Sequence, residues 1–257
     1  MALVLNGTWE NSYGSTMVLE VDDEGFIFGE YRSHTGSTGT YLVTGHCAPS
    51  DPTHEGGQPL VLSIYWRSIG GEEPDDGSHW VSTYCGQLDD NGHITVMNAL
   101  VTTTSYQAFS PGDYIDKLVF TKQSDVSELR THNIALLAKP KTQVANPING
   151  VWSDKEQGVA LTLFLQDPEY GVVSGWLSYN NEIMSMLGFT DILVDNNILQ
   201  SVSLSGYMLN TKQPISLVGR ISQDGRALVL SRWLSNSTTA EEAYFQASSM
   251  NWELTKN

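Results

Sequence analysis

The sequence predicts an all-β chain of two tandem eight-stranded antiparallel up-and-down barrels, on three observations. Short β-rich runs alternate with turn clusters from residue 7 to residue 122, with no convincing helical period among them. The pattern then restarts near residue 150, where Gly150-Val-Trp152 echoes Gly7-Thr-Trp9. Composition agrees: 23 glycines in 257 residues, at 40 % hydrophobic content, suit a turn-rich globular chain rather than a disordered one. Closing each set of strands removes the unpaired edges that an open sheet would present.

Taken in order, residues 7–15 open the first barrel. Side chains of equal parity share one face of a strand, so Trp9, Asn11, Tyr13 and Ser15 are expected on one wall. Inside a barrel that wall is aromatic and carries two short hydrogen-bonding groups; an ordinary first strand with turn-forming Asn and Ser is the plainer alternative. Residues 17–21 alternate, Asp22-Asp-Glu-Gly25 turns, and 26–33 run back. A flexible loop over 35–39 leads to a strand over 41–46, and a polar loop over 48–59 leads to the apolar run 60–67. After an acidic loop over 70–77 come a strand over 79–88, the hairpin turn Asp89-Asp-Asn-Gly92 and its partner over 94–104. Ser110-Pro-Gly-Asp113 turns into the eighth strand, 114–122.

The domain limits that follow are a barrel over 1–123, a linker over 124–146 and a second barrel over 147–257. The linker is polar and punctuated by Pro140, with a short helix or an extended arm through Ile134-Ala-Leu-Leu137 as alternatives. In the second half Gly219-Arg-Ile221 echoes Gly86-Gln-Leu88, and Leu254-Thr-Lys256 closes it as Phe120-Thr-Lys122 closes the first. A period of this length means two copies of a domain rather than a solenoid.

The formal net charge is −16. That argues against nucleic acid, whose binding needs clustered Lys and Arg, and against anionic membrane surfaces. Met1-Ala-Leu-Val-Leu5 has no basic start and no long apolar run, so a signal peptide is not expected. Cys47 and Cys85 stand in no metal-ligand spacing and are expected as free thiols, which favours a reducing cytoplasmic setting; a removed leader would instead make the protein secreted. The six histidines are scattered, no Gly-x-Ser-x-Gly elbow or phosphate loop is present, and no metal or cofactor is expected.

The first half resembles the avidin and streptavidin family of biotin-binding proteins. The resemblance rests on Gly7-Thr-Trp9 with Asn11, Gly14-Ser-Thr16, Gly29-Glu-Tyr31-Arg-Ser33, Tyr41-Leu-Val-Thr-Gly45, Trp66, Thr83-Tyr-Cys-Gly-Gln87 and Phe120-Thr-Lys122, in the family's order. It implies a barrel with a ligand pocket at one end. Asn11, Ser15 and Tyr31 match the groups that hold the ureido oxygen of biotin, and Ser33 matches an acceptor for a ureido nitrogen. Trp66 matches a pocket tryptophan, Tyr84 stands where a second is usual, Ser82 matches a hydroxyl near the ligand sulfur, and Leu100 matches an apolar wall position. The loop over 35–40 matches the one that closes over the ligand tail.

The departures are specific. Leu118 stands where the family has the Asp that holds the second ureido nitrogen, and Asp116 keeps its parity about 7 Å along the strand. Asn98 replaces a third pocket tryptophan and Trp80 a hydroxyl, while Phe109 is the nearest aromatic to the tryptophan that a neighbouring subunit donates. In the second half Asp154, Gly158 and Leu177 fall at the three oxygen-holding positions, whereas the segment from Trp233 to Thr239 resembles the family's later tryptophan segment. The resemblance therefore implies a small-molecule binding protein, with biotin or a related cyclic urea as ligand in the first barrel and a mainly structural second barrel. The alternatives are an interaction or defence protein that has lost biotin and recognises a glycan or protein partner, and last a barrel enzyme such as a cyclase. A homodimer would give a four-barrel assembly, with the covalent link replacing one subunit interface.

Overall fold

The computed structural model describes residues 4–33, 39–69, 80–105, 109–126, 129, 144–192 and 199–257. Most of the linker, including 134–137, lies outside them.

Sixteen strands form two closed antiparallel barrels, each with its strands in chain order around the wall. The first comprises β1 Gly7–Asn11, β2 Thr16–Val21, β3 Phe26–Ser33, β4 Gly39–Cys47, β5 Gln58–Tyr65, β6 Trp80–Leu88, β7 His93–Thr102 and β8 Gly112–Ser124. The second comprises β9 Gly150–Asp154, β10 Val159–Asp167, β11 Val172–Tyr179, β12 Glu182–Thr190, β13 Ser201–Met208, β14 Gln213–Ile221, β15 Ala227–Ser235 and β16 Ala247–Lys256. A single 3-10 turn, Ala243–Phe245, is the one helical piece among the described residues. In each barrel the last strand pairs with the first, closing the wall.

The two starts are built alike. Gly7 and Gly150 both have φ near +130°, a backbone that side-chain-bearing residues rarely adopt. A Cβ on Gly7 would also meet the carbonyl oxygen of Ser124 at 2.1 Å. Trp9 and Trp152, two residues on, are fully buried, and each indole Nε1 donates to a carbonyl four residues back, Leu5 and Ile148, both at 3.0 Å. Lys122 and Lys256 lie over these indoles at 5.4 and 4.9 Å. The repeated motif is thus a plug that fills one end of each barrel.

Strand alternation sorts the remaining side chains. Odd-numbered residues of β1 to β4 and even-numbered residues of β5 to β8 point inward, giving a core of Trp9, Leu19, Ile27, Leu60, Ile94 and Phe120 among others. The opposite parity of β4 to β7 is also buried, because it meets the second barrel: Val61, Tyr65, Val81, Cys85 and Val101 pack against Val172, Leu187, Phe189, Val218 and Trp233. Polar contacts frame this interface. Tyr65 donates to Asp191 (3.3 Å), Ser203 donates to the Ser82 carbonyl (2.9 Å), and Gln87 exchanges hydrogen bonds with Thr238 (2.9 and 3.1 Å). Arg220 pairs with Asp113 at 2.7 Å. Tyr65 is the last residue of β5, at the barrel end where β1 stops, whereas Asp191 follows β12 at the barrel end where β9 begins, so the barrels lie head to tail.

Both cysteines are buried and unpaired. Cys47 faces the first core and Cys85 the interface, on opposite sides of the wall. Burial pushes the Cys47 thiol up to about 12, with Asp22 adding to it, so neither a thiolate nor a disulfide arises easily there.

His46 sits on the outer face of β4, its ring edge-on to Phe26 at 5.4 Å and its Nδ1 buried without a partner. Burial pulls its pKa down to about 4, against the opposing charge of Asp22. The unfolded chain therefore takes up this proton first as pH falls. Stability should be complete above about 6.5 and drop by about 3 kcal/mol towards pH 4. Urea midpoints measured across this range should show the slope, and His46→Phe should flatten it; an unchanged slope would assign the acid lability to other groups.

Candidate functional site

The end of the first barrel opposite the Trp9 plug collects the polar side chains. β1 stops at Asn11 because the chain turns: Gly14 has φ of +76°, and its N–H donates to the Asn11 carbonyl at 3.0 Å. The Asn11 side-chain oxygen accepts the backbone N–H groups of Tyr13 and Ser15, both at 3.0 Å. These bonds fix the carboxamide so that its Nδ2 projects inward, where it donates to the Tyr31 hydroxyl at 3.2 Å. Ser15 and Ser33 are buried at the same end. Asn11, Ser15 and Tyr31 are therefore brought together, on three consecutive strand edges.

An aromatic wall stands around them. The Tyr31 ring meets Trp66 at 5.3 Å and Tyr84 and Phe120 at 6.3 Å each, all edge-to-face. Tyr41 adds a further face to Trp66 at 4.9 Å. Trp66 Nε1 donates to Ser82 Oγ at 2.8 Å, which fixes both side chains. Tyr84 is fully buried; burial first, then Tyr31, to which it is hydrogen-bonded, and then Asp116 push its pKa well above the usual tyrosine value. It is a neutral hydroxyl at any working pH. Leu100 faces inward beside Ser82, its partner across β6 and β7.

Tyr13 does not join them. It is 56 % exposed in the turn after β1. The parity that placed it with Trp9 and Asn11 holds only while the strand lasts, and the Asn11 turn ends it two residues earlier.

The departures take definite positions. Leu118 faces inward and is buried in the core with Phe120, opposite Val96. Asp116 keeps the inward parity but is exposed, paired across the ladder with Asn98. Trp80 is buried, its Nε1 donating to the Thr104 carbonyl at 3.1 Å, and it meets Phe109 edge-on at 5.5 Å. Asn98 is the residue that sequence reasoning passed over as a loss. It faces inward on β7, next to Tyr84 across the ladder, and its Oδ1 is buried without a hydrogen-bond partner. The barrel wall puts β7 across from β3, so this acceptor faces the side that carries Tyr31. Residues 35–38 of the loop matched to ligand closure lie outside the described residues.

The second barrel repeats the wall without the triad. Asp154 is half-buried at the end of β9, and its carboxylate accepts the N–H groups of Gln157 (3.1 Å) and Glu156 (2.9 Å) and the Gln157 carboxamide (2.8 Å), which hold its pKa below the usual range. Gly158 is a turn residue with φ of +66°, and Leu177 is core. Trp233 points outward into the interface between the barrels, not into the second lumen. The residue before it, Arg232, takes the inward place.

A closed eight-stranded barrel whose inward hydroxyls, carboxamides and aromatic rings converge at one end defines a small-molecule binding barrel. Residues 1–111 match the avidin family, and this part of the chain is an avidin-family domain. The match ends just before β8, and the second barrel repeats the same strand order. Avidin-family proteins are non-enzymatic binding proteins. A search of curated proteins gave no match to the chain.

Proposed function

We propose that the first barrel binds biotin or a related cyclic urea at the Asn11 end. The observation that carries this is the pairing of Asn11 and Tyr31 with Ser15 beside them, donors held in place before any ligand arrives. Asn11 Oδ1 is occupied by two backbone N–H groups, so only its N–H groups face the lumen. Tyr31 accepts from Asn11 and keeps its own proton to donate. A carbonyl oxygen placed here receives up to three hydrogen bonds in a site largely closed to water, which strengthens each of them. Ser33 on the near wall and the unpartnered Asn98 oxygen on the far wall are acceptors for ring N–H groups. Asn98 thus offers, from β7, the acceptor that Leu118 does not offer from β8. Two chains would make a four-barrel assembly in which the link within each chain supplies one interface.

Calorimetric titration of the full chain with biotin tests this reading. One site per chain supports it. Tyr31→Phe removes one donor to the carbonyl and should weaken binding about tenfold or more; unchanged affinity removes Tyr31 from the site. Leu118 and Trp80, which fill positions of a carboxylate and a hydroxyl in the family, favour the second reading, in which biotin is lost and a glycan or protein partner is recognised instead. Absence of binding by calorimetry and by displacement selects that second reading.

A further inference from the structure

We propose that the second barrel holds an anionic ligand, a monocarboxylate with an apolar body, at Arg232. Arg232 is only 7 % exposed and points into the lumen from β15, between Leu230 and Leu234 of its own strand and opposite Leu217 and Met250 of the neighbouring strands. Its guanidinium is a permanent cation in apolar surroundings, which costs several kcal/mol unless it is compensated.

Among the described residues the compensation is partial. Nη1 donates to the Tyr179 hydroxyl at 2.9 Å, and the guanidinium lies 5.8 Å from the Tyr179 ring and 5.9 Å from the Trp252 ring. No carboxylate of the described residues pairs with it. Of the acidic residues at this end, Asp154 is engaged in its own turn and Glu182 with the backbone N–H groups of Leu209 and Asn210, while Glu156, Glu241 and Glu242 sit on the exposed connections. Two buried donors have no acceptor, Arg232 Nε and Trp252 Nε1. They belong to neighbouring strands, and the Trp252 ring is one of the two that flank the guanidinium.

A buried cation with no carboxylate partner, whose own Nε–H and the neighbouring Trp252 Nε1–H both lack an acceptor, calls for an acceptor that carries negative charge. A carboxylate has two oxygens, one for each donor, and makes charge-assisted bonds to both. The surroundings describe the rest of the ligand. Met184, Met208 and Leu234 line the same end and offer no polar partner, so the body is apolar, and methionines adapt to its shape. β11 and β12 are joined by Asn180 and Asn181 alone, both with positive φ, in the two-residue turn that suits a tight hairpin. The first barrel uses a five-residue connection, 34–38, at the equivalent place.

The proposal is independent of the biotin reading, and one titration separates them. Benzoate and its neutral counterpart benzamide are titrated into the full chain, with tryptophan fluorescence and calorimetry as readouts. Benzoate should bind at least tenfold more tightly than benzamide. Arg232→Met should abolish that preference, while Tyr31→Phe should leave it intact. Should Arg232→Met fail to fold, Trp252→Phe removes one donor and keeps an aromatic ring, and benzoate affinity should fall severalfold. Equal binding of the two probes, no binding of benzoate at millimolar concentration, or loss of the preference in Tyr31→Phe would each overturn the proposal.

Discussion

Trp152→Ala should lower the stability of the whole chain by about 3–5 kcal/mol, the range for truncating a buried tryptophan. The indole has no exposed surface, its Nε1 is bonded to Ile148, and Lys256 lies over it, so nothing nearby is free to fill the space. The loss should be felt in both barrels. The wall shared by the barrels is buried on both of its faces along β5, β6, β13 and β14, and neither barrel can expose its outer face without opening the apolar cluster around Tyr65, Phe189 and Trp233. Tyr65 and Phe189 stack there at 6.5 Å with an interplanar angle of 25°. Urea denaturation of Trp152→Ala and Trp9→Ala should therefore each give one transition shifted by a similar amount. A biphasic curve in either variant would show that the barrels unfold separately.

Leu118→Asp should destabilise the free protein and at the same time tighten its binding of biotin. Without ligand the new carboxylate lies among Val96, Phe120 and Tyr84, where an unpaired charge costs about 3–5 kcal/mol. Burial raises its pKa in the folded state above the unfolded value near 4, so the unfolded chain loses this proton first. The penalty is absent below that value and grows as pH rises through it. With biotin the same carboxylate meets a ring N–H, and affinity should rise about tenfold to a hundredfold. Thermal melts with and without biotin at pH 5 and pH 8 check both parts. Destabilisation without any gain in biotin affinity would mean that no ring N–H faces this wall.

What the sequence made legible follows from which residues carry a repeated or local signal. Gly7 and Trp9 recur as Gly150 and Trp152, so both barrel starts could be located before any coordinates. Asn11, Ser15, Tyr31, Trp66 and Ser82 keep a family order, and the barrel does bring them to one end. Tyr13 was misplaced by parity, because a strand's alternation says nothing beyond its last residue, and that end is set by the hydrogen bonds of the Asn11 side chain. Trp233 drew attention by its residue type, yet a shift of one position exchanges the faces of a strand, and Arg232 holds the inward place. The interface leaves a visible mark in the sequence. Residues 60–66 form an almost unbroken apolar run rather than an alternating one, which is how a strand covered on both faces reads, and β5 and β6 are buried along their whole length. Which surface covers the outer face is a matter of long-range pairing that no local pattern encodes.

The head-to-tail placement of the barrels has a consequence for whatever they hold. The Asn11 end of one lies beside the plugged end of the other, so a ligand entering at Asn11 and one entering at Arg232 leave their tails on opposite faces of the molecule. In a ring of identical subunits every substitution is copied into every cavity, whereas here Asn98 and Arg232, at equivalent strand positions, have become different residues without disturbing each other. One chain then carries two addresses that point away from each other. Cargo attached to one ligand and an anchor attached to the other would be joined through the width of the protein, as by a coupler between two surfaces.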